Sequence, residues 1–174
     1  MKTCCTTPLN KKFDLARAKE ELSNYVRTGP RKNTIPLLEA LKPIDLAGAS
    51  ALDIGGGIGA ILFQLLQQGV KEAQSVDISE AYCEVLQEEI KHRQLNKQVK
   101  IWKGDFLCLK DDLPAVDIVT LDKVICCYEN FQELVLHSLA KSTKWYAYTI
   151  PRNVWWVKLG HFLKEYKFRK RPDD

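Results

Sequence analysis

The sequence contains no segment suited to a membrane and none that resembles an export signal. No apolar run in its 174 residues is long enough to span a bilayer, and residues 1–8 lack the apolar core of a secretory signal peptide. With 45% hydrophobic and 28% charged residues, the composition is ordinary for one globular domain. We therefore expect a cytoplasmic protein with a single packed core.

Cysteine patterns typical of metal binding are also missing. None of the six cysteines belongs to a Cys-x-x-Cys pair, and both Cys4–Cys5 and Cys126–Cys127 are direct neighbours in sequence. Neighbours on a strand point to opposite faces of the sheet, so Cys126 and Cys127 do not easily serve one site. We expect no metal centre and, in the cytosol, reduced thiols.

The most informative stretch that is present is Ala51–Gly59, with the sequence Ala-Leu-Asp-Ile-Gly-Gly-Gly-Ile-Gly. Its first four residues predict a buried strand, and its glycines predict a tight turn that opens a helix. Glycine lets the backbone take left-handed angles and lets a ligand approach it closely. Because the free N–H groups at the start of a helix attract nucleotide-like ligands, this turn indicates a cofactor site.

Two classes of cofactor fit the glycines. Gly55, Gly57 and Gly59 match the Gly-x-Gly-x-Gly pattern typical of S-adenosylmethionine (SAM) methyltransferases. Gly55, Gly57 and Ala60 match the dinucleotide fingerprint equally well. Asp53 favours SAM, because a carboxylate two residues before the first glycine would repel a pyrophosphate but attract a sulfonium cation and an ammonium group. A nicotinamide-binding domain is the weaker alternative.

Acidic residues stand at the ends of three successive predicted strands: Asp53, Asp77 and Asp105. Asp77 suits both hydroxyls of a ribose, and Asp105 can accept a hydrogen bond from an adenine amino group while Phe106 packs on the base. Ile78 is placed to pack on the adenine as well. This regular placement is more specific than the glycines alone.

These motifs resemble those of the class I SAM-dependent methyltransferases, from about residue 13 to about residue 156. Residues 52–59, 76–77 and 104–106 are similar to the first three motifs of that family, and residues 117–128 to the fourth. In a similar subgroup of small proteins, a strand ends in Asp-Arg-Val-x-Cys-Cys-Tyr, and Pro-Arg precedes Trp-Trp. This chain has Lys123 in place of that arginine, followed later by Pro151–Arg152 and Trp155–Trp156.

The resemblance implies roles for the residues at the strand ends. The glycine-rich turn and Asp53 would hold the methionine part of the cofactor, and Tyr25 would reach it from an N-terminal lid. Asp122, Tyr128 and Arg152 would border the transferred methyl group and the acceptor, as candidate catalytic residues. The cofactor-binding residues expected in this way are Asp53, Gly55, Gly56, Gly57, Gly59, Asp77, Ile78, Asp105, Phe106, Leu121 and Tyr25.

The order of predicted elements indicates an α/β fold. Strands are expected near residues 50–54, 73–77, 98–102, 116–121 and 144–150, and helices near 59–69, 79–94, 130–141 and 153–167. Such alternation forces a mainly parallel sheet with helices on both faces. The resemblance implies a Rossmann-like sandwich with strand order 3-2-1-4-5. It divides the single domain 1–174 into a helical lid (1–48), a cofactor-binding core (49–152), and a C-terminal helix with a basic tail (153–174).

Two helices are predicted ahead of the first strand. Lys12–Val26 has an apolar side that includes Leu15 and Tyr25. A second, shorter helix follows, and we expect Asn33 or Thr34 to cap its N-terminus, because short polar side chains satisfy the free N–H groups there. In the family that the sequence resembles, such helices form a lid over the cofactor.

The last part of the chain leads to two further expectations. The family that the sequence resembles continues past its fifth strand with an antiparallel hairpin, whereas this chain stops at Asp174. A fifth strand without that hairpin would leave a hydrophobic edge, which we expect to pair across a homodimer, to be covered by the basic tail, or to reduce stability.

Residues 141–174 carry nine Lys/Arg and three Asp/Glu, a net charge of +6 against −2 for the rest. A nucleic-acid surface is one interpretation of this charge, and a solvated helix face is the favoured one.

The expected function is transfer of a methyl group from SAM to a small-molecule acceptor by in-line displacement, which leaves S-adenosylhomocysteine (SAH). Two alternatives stay open: a SAM-binding module without turnover, and an RNA methyltransferase that uses the basic tail. The sequence has no Asn-Pro-Pro-Tyr motif, which in methyltransferases accompanies methylation of nucleobases or glutamine amides, so a nucleic-acid substrate is disfavoured. His92, His137 and His161 fall within predicted helices away from strand ends, which leaves no obvious histidine base.

Overall fold

The computed structural model describes residues 14–150. Five parallel strands form one sheet in the order β3-β2-β1-β4-β5. The strands are β1 Ser50–Ile54, β2 Glu72–Asp77, β3 Val99–Lys103, β4 Val116–Leu121 and β5 Ser142–Tyr148. The predicted Rossmann-like sandwich with strand order 3-2-1-4-5 is therefore confirmed.

Helices precede the sheet and cover both of its faces. They are α1 Leu15–Thr28, α2 Ile35–Leu41, α3 Ala60–Gln67, α4 Glu80–His92, α5 Phe106–Leu109 and α6 Phe131–Ala140, with a 3₁₀ turn at Ile125–Cys127. The sequence did not predict α5 or the 3₁₀ turn, because each is about one turn long and too short to show a helical period. Predictions for Arg152, the helix over 153–167 and the basic tail lie outside the described residues.

The sheet separates two clusters of buried side chains. Ala51 packs in the first cluster with Leu62 of α3, and Leu52 packs in the second with Phe106 of α5. Because successive residues of a strand point to opposite faces, Asp53 shares the face of Ala51. It is therefore directed towards the side that α3 and α4 cover.

Helix α1 buries only part of the set of residues expected on its apolar side. Its N-cap Asp14 accepts a hydrogen bond from the Arg17 N–H at 2.9 Å, and Ala18 and Tyr25 are its buried residues. Leu15, expected on the buried side, is 41% exposed. It is the first residue of the helix, where the side chain tilts back beyond the packed turns.

Neither a membrane span nor a metal cluster is found within residues 14–150. No helix there is long and apolar enough to cross a bilayer, and no three or more His, Cys, Asp or Glu side chains are grouped to hold a metal ion. Cys83, Cys126 and Cys127 are free thiols.

Candidate functional site

The glycine-rich turn between β1 and α3 has a backbone shape that favours glycine. Gly55, Gly57 and Gly59 have φ angles of +69°, +55° and +82°, in the left-handed region that other residues rarely adopt. The Gly55 N–H donates to the Val76 carbonyl at 2.7 Å, which fastens the turn to β2. A Cβ atom on Gly55 would collide with Val124, so the segment after β4 packs directly on this turn.

Asp77 holds the same turn from the end of β2. Its Oδ2 accepts a hydrogen bond from the Gly57 N–H at 2.8 Å, and its Oδ1 accepts one from the Ser79 N–H at 2.8 Å. Burial raises the pKa of Asp77, and these backbone N–H groups oppose that effect. Each carboxylate oxygen has a second lone pair, and Ile78 beside it is half-buried. Asp77 can thus support the turn and still accept from the hydroxyls of a ligand.

Asp53 lies beneath the turn and is only 3% exposed. Its Oδ1 accepts a hydrogen bond from Thr120 Oγ1 at 2.7 Å, and a Cβ atom on Gly56 would lie 3.2 Å from its Oδ2. Burial raises the pKa of Asp53 to about 7, and the nearby charges of Asp122 and Asp77 add to this effect. Asp53 is therefore protonated more readily than an exposed aspartate, so the negative charge expected from the sequence is less firmly held without a ligand.

Two hydroxyl residues that sequence reasoning missed flank Asp53 on the neighbouring strands. Ser75 of β2 and Thr120 of β4 are its partners in register, and both are buried. Ser75 Oγ has no hydrogen-bond partner among the described residues, and a Cβ atom on Gly56 would collide with it. Thr120 offered a signal, as a polar residue within the largely apolar β4, whereas Ser75 lies in the mostly polar β2 and offered none.

Asp105 and Tyr128, predicted from separate motifs, meet in the structure. Asp105 is the N-cap of α5, where its Oδ1 accepts the Leu107 N–H at 2.8 Å and also accepts the Tyr128 hydroxyl. Burial and the Asp105 carboxylate raise the pKa of Tyr128 well above its ordinary value. The phenol is therefore a hydrogen-bond donor at neutral pH, and its proton is directed at Asp105.

Asp122, the second carboxylate after β4, is enclosed by hydrogen-bond donors. Its Oδ1 accepts from Thr149 Oγ1 at 2.6 Å and its Oδ2 from Thr34 Oγ1 at 2.6 Å. Lys123 Nζ lies 3.0 Å from the same Oδ2. Both oxygens are thus engaged within the protein, which leaves Asp122 poorly placed to act as the base that the sequence suggested.

Three residues expected at the cofactor are almost completely buried. Phe106 is 2% exposed and Leu121 is fully buried, so their side chains offer almost no surface to an adenine or a methyl group. Tyr25 is 8% exposed, its ring stacks on Phe63, and its hydroxyl accepts from Gln64 at 3.4 Å. These three side chains thus offer little surface to a ligand in this structure, and their contact with the cofactor stays a prediction.

Comparison with known proteins agrees with this arrangement. Residues 51–144, more than half of the chain, match the model of a family described as a methyltransferase domain. No protein of curated function matches the sequence. The matched span runs from β1 into β5 and includes the carboxyl ends of β1 to β4, with the lid helices outside it.

Solved structures share the fold at low sequence identity. A magnesium protoporphyrin IX methyltransferase from Synechocystis PCC 6803, solved with bound SAH, is 18% identical with a TM-score of 0.67, over 90% of this chain and 77% of that one. A putative RNA methyltransferase from Pyrococcus horikoshii is 19% identical with a TM-score of 0.57, over 77% of this chain and 63% of that one. The cyclase SpnF is 16% identical with a TM-score of 0.61, over 77% and 55%. This chain therefore spans less than two thirds of the latter two, and at these identities the likeness concerns the fold.

Proposed function

We propose that this chain, which belongs to the methyltransferase domain family, transfers a methyl group from SAM to a small-molecule acceptor. The observation that carries the proposal is the meeting of the glycine-rich turn with Asp53, Asp77 and Asp105 at the carboxyl end of one parallel sheet. Ligands of such sheets bind at this end, beside the point where the strand order reverses. Here that point lies between β1 and β4.

The donors and acceptors of the site suit SAM, the cofactor of this family. Gly55 is exposed, and Gly56 and Gly57 are partly exposed, so backbone can approach the methionine moiety. Asp77 can accept from the ribose hydroxyls, and Asp105 from an adenine amino group. The cofactor supplies a methyl group that is already activated on a sulfonium, so the main tasks of the protein are to align two reactants and to exclude water.

The hydrogen bonds that the polar side chains already make favour some classes of acceptor over others. Both oxygens of Asp122 accept hydrogen bonds within the protein, and the Tyr128 hydroxyl donates to Asp105. Neither group is free to remove a proton in this arrangement. We therefore expect an acceptor atom that needs little help from a base, such as the nitrogen of a neutral amine or the sulfur of a thiolate. The RNA alternative rests mainly on charges beyond residue 150, outside the described residues.

Calorimetric titration of the full chain with SAH, compared with NAD, tests the cofactor. We expect SAH to bind and NAD not to bind. Asp77→Ala should abolish SAH binding, since it removes an acceptor for the ribose and a support of the turn. Asp111→Ala is the matched control, because Asp111 is 87% exposed and paired only with Lys110. Binding of NAD, or of neither ligand, would contradict the proposal.

Methyl transfer itself is tested with SAM that carries a labelled methyl group and a panel of amines, thiols, phenols and carboxylic acids. Label should appear in an acceptor of the first two classes, with SAH formed in equal amount. Retention of SAH binding without transfer to any class would favour the alternative of a binding module without turnover. Transfer to RNA that falls steeply with salt would favour the nucleic-acid alternative.

A further inference from the structure

Thr34 occupies the N-cap position of α2 but does not cap it. Asn33 and Thr34 were the residues expected to satisfy the free N–H groups of this helix, and Thr34 is indeed the N-cap, with no capping hydrogen bond from its side chain. Its backbone is helical, at φ −88° and ψ −26°, whereas capping residues are usually extended. Its hydroxyl is therefore used elsewhere, although the residue is only 3% exposed.

The hydroxyl of Thr34 contacts the segment that follows β4. Thr34 Oγ1 donates to Asp122 Oδ2 at 2.6 Å and accepts from Lys123 Nζ at 3.0 Å. These contacts join residues 88 and 89 positions apart in sequence. A buried hydroxyl that both donates and accepts has little freedom to rotate, so it fixes the start of α2 relative to the end of β4.

Asp122 and Lys123 are held in turn from the other side by Thr149. Thr149 Oγ1 donates to Asp122 Oδ1 at 2.6 Å and accepts from the Lys123 N–H at 2.8 Å. Lys123 has a φ of +61°, which is uncommon for a residue other than glycine and is kept only where the surroundings enforce it. The next residue, Val124, is the one that packs on Gly55.

We propose that Thr34 is a positioning residue that fastens the helical lid to the acceptor side of the site, with Asp122 and Lys123 as its receptor. The lid helices α1 and α2 are then held by a hydroxyl clasp, defined by Thr34, Asp122, Lys123 and Thr149. Because Val124 follows the clasp and contacts the glycine-rich turn, the clasp sets the position of the turn as well. This inference rests on the proposed function for its effect on SAM and SAH, but not for its effect on the lid.

Thr34→Val is a direct test, because valine keeps the shape of threonine and no helix cap is lost with the hydroxyl. Thr34→Ser restores the hydroxyl. Thr28→Val is the matched control, since the Thr28 hydroxyl bonds only the Asn24 carbonyl of its own helix, at 2.8 Å. The measurements are calorimetric titration with SAH and hydrogen exchange of the full chain over residues 31–42, with and without SAH.

We expect Thr34→Val to weaken SAH binding about tenfold and to speed hydrogen exchange over residues 31–42 about tenfold, the loss expected for a hydrogen bond to a charged group. Thr34→Ser and Thr28→Val should stay within about twofold of the unchanged chain. Unchanged exchange and binding in Thr34→Val would overturn the proposal, and so would equal losses in Thr34→Ser. If the unchanged chain binds no SAH, the proposed function fails, while the exchange comparison still decides on the clasp.

Discussion

Asp53 gives the site a dependence on pH that an exposed carboxylate would not give. Its pKa is raised to about 7 by burial, and a cationic ligand group above it favours the ionised form. Below pH 7 binding must first release the proton, so affinity should rise with pH. We expect the affinity for SAH to increase about tenfold from pH 6 to pH 8, measured by calorimetry.

The control for this dependence is Asp53→Asn, which keeps the side-chain shape and the contact with Thr120 but cannot ionise. Its affinity should be lower than that of the unchanged chain at pH 8 and should vary little with pH. An unchanged profile in Asp53→Asn would assign the titration to another group. If the affinity of the unchanged chain for SAH does not vary with pH, Asp53 does not interact with the methionine ammonium.

Gly56 and Ser75 form a second pair whose fit can be tested at single-residue level. A Cβ atom on Gly56 collides with the buried Ser75 hydroxyl, so Gly56→Ala should lower the free energy of unfolding by about 1–3 kcal/mol, the usual cost of overpacking. Ser75→Ala removes a hydroxyl that has no hydrogen-bond partner within residues 14–150, and it should lower the free energy of unfolding little. The double variant should recover most of the loss in urea unfolding. If the losses in free energy of unfolding of the two single variants simply add in the double variant, Gly56 and Ser75 are not in contact.

At the scale of elements, the bond between Tyr128 and Asp105 joins the start of α5 to the segment after β4. Tyr128→Phe removes the donor and keeps the ring, so it should lower the free energy of unfolding by about 1–2 kcal/mol and weaken SAH binding. Tyr148→Phe is the matched control, since Tyr148 is 49% exposed on β5. Thermal unfolding with and without SAH measures both effects. Equal shifts of the unfolding temperature in the two variants would show that the hydrogen bond between Tyr128 and Asp105 does not stabilise the fold.

The elements differ in how far local sequence determines them. All five strands were predicted to within about two residues of their ends, because each is a short apolar or alternating run followed by a turn signal. Asn33 or Thr34 was predicted as a helix cap from the preference of short polar side chains. The Thr34 hydroxyl contacts Asp122, and that long-range contact cannot be inferred from neighbouring residues. Phe106 was assigned to the adenine because it follows Asp105, whereas the unpredicted helix α5 turns its ring into the core.

At the scale of the whole molecule, β5 lies at one edge of the sheet among residues 14–150, and pairing of that edge across a homodimer, one of the three outcomes expected for it, stays a prediction. Exposed strand edges invite pairing with a second chain. Sedimentation velocity at rising concentrations of the full chain is the measurement, and a shift towards twice the monomer mass is the expected result. Tyr148→Lys, which adds a charge to the edge strand, should oppose that shift. A monomer at every concentration would contradict the prediction.

The strand order also sets the sequence in which the protein assembles. β1, β2 and β3 are neighbours both in the chain and in the sheet, whereas β4 must return to β1 across 67 residues, as in the pair Asp53 and Thr120. Closing longer loops costs more chain entropy, and contacts of high sequence separation slow folding. Residues 50–103 should therefore fold first, with the glycine-rich turn and Asp77. Asp122 and Tyr128 follow with β4, so the residues proposed to border the acceptor should take their places only after the glycine-rich turn has formed.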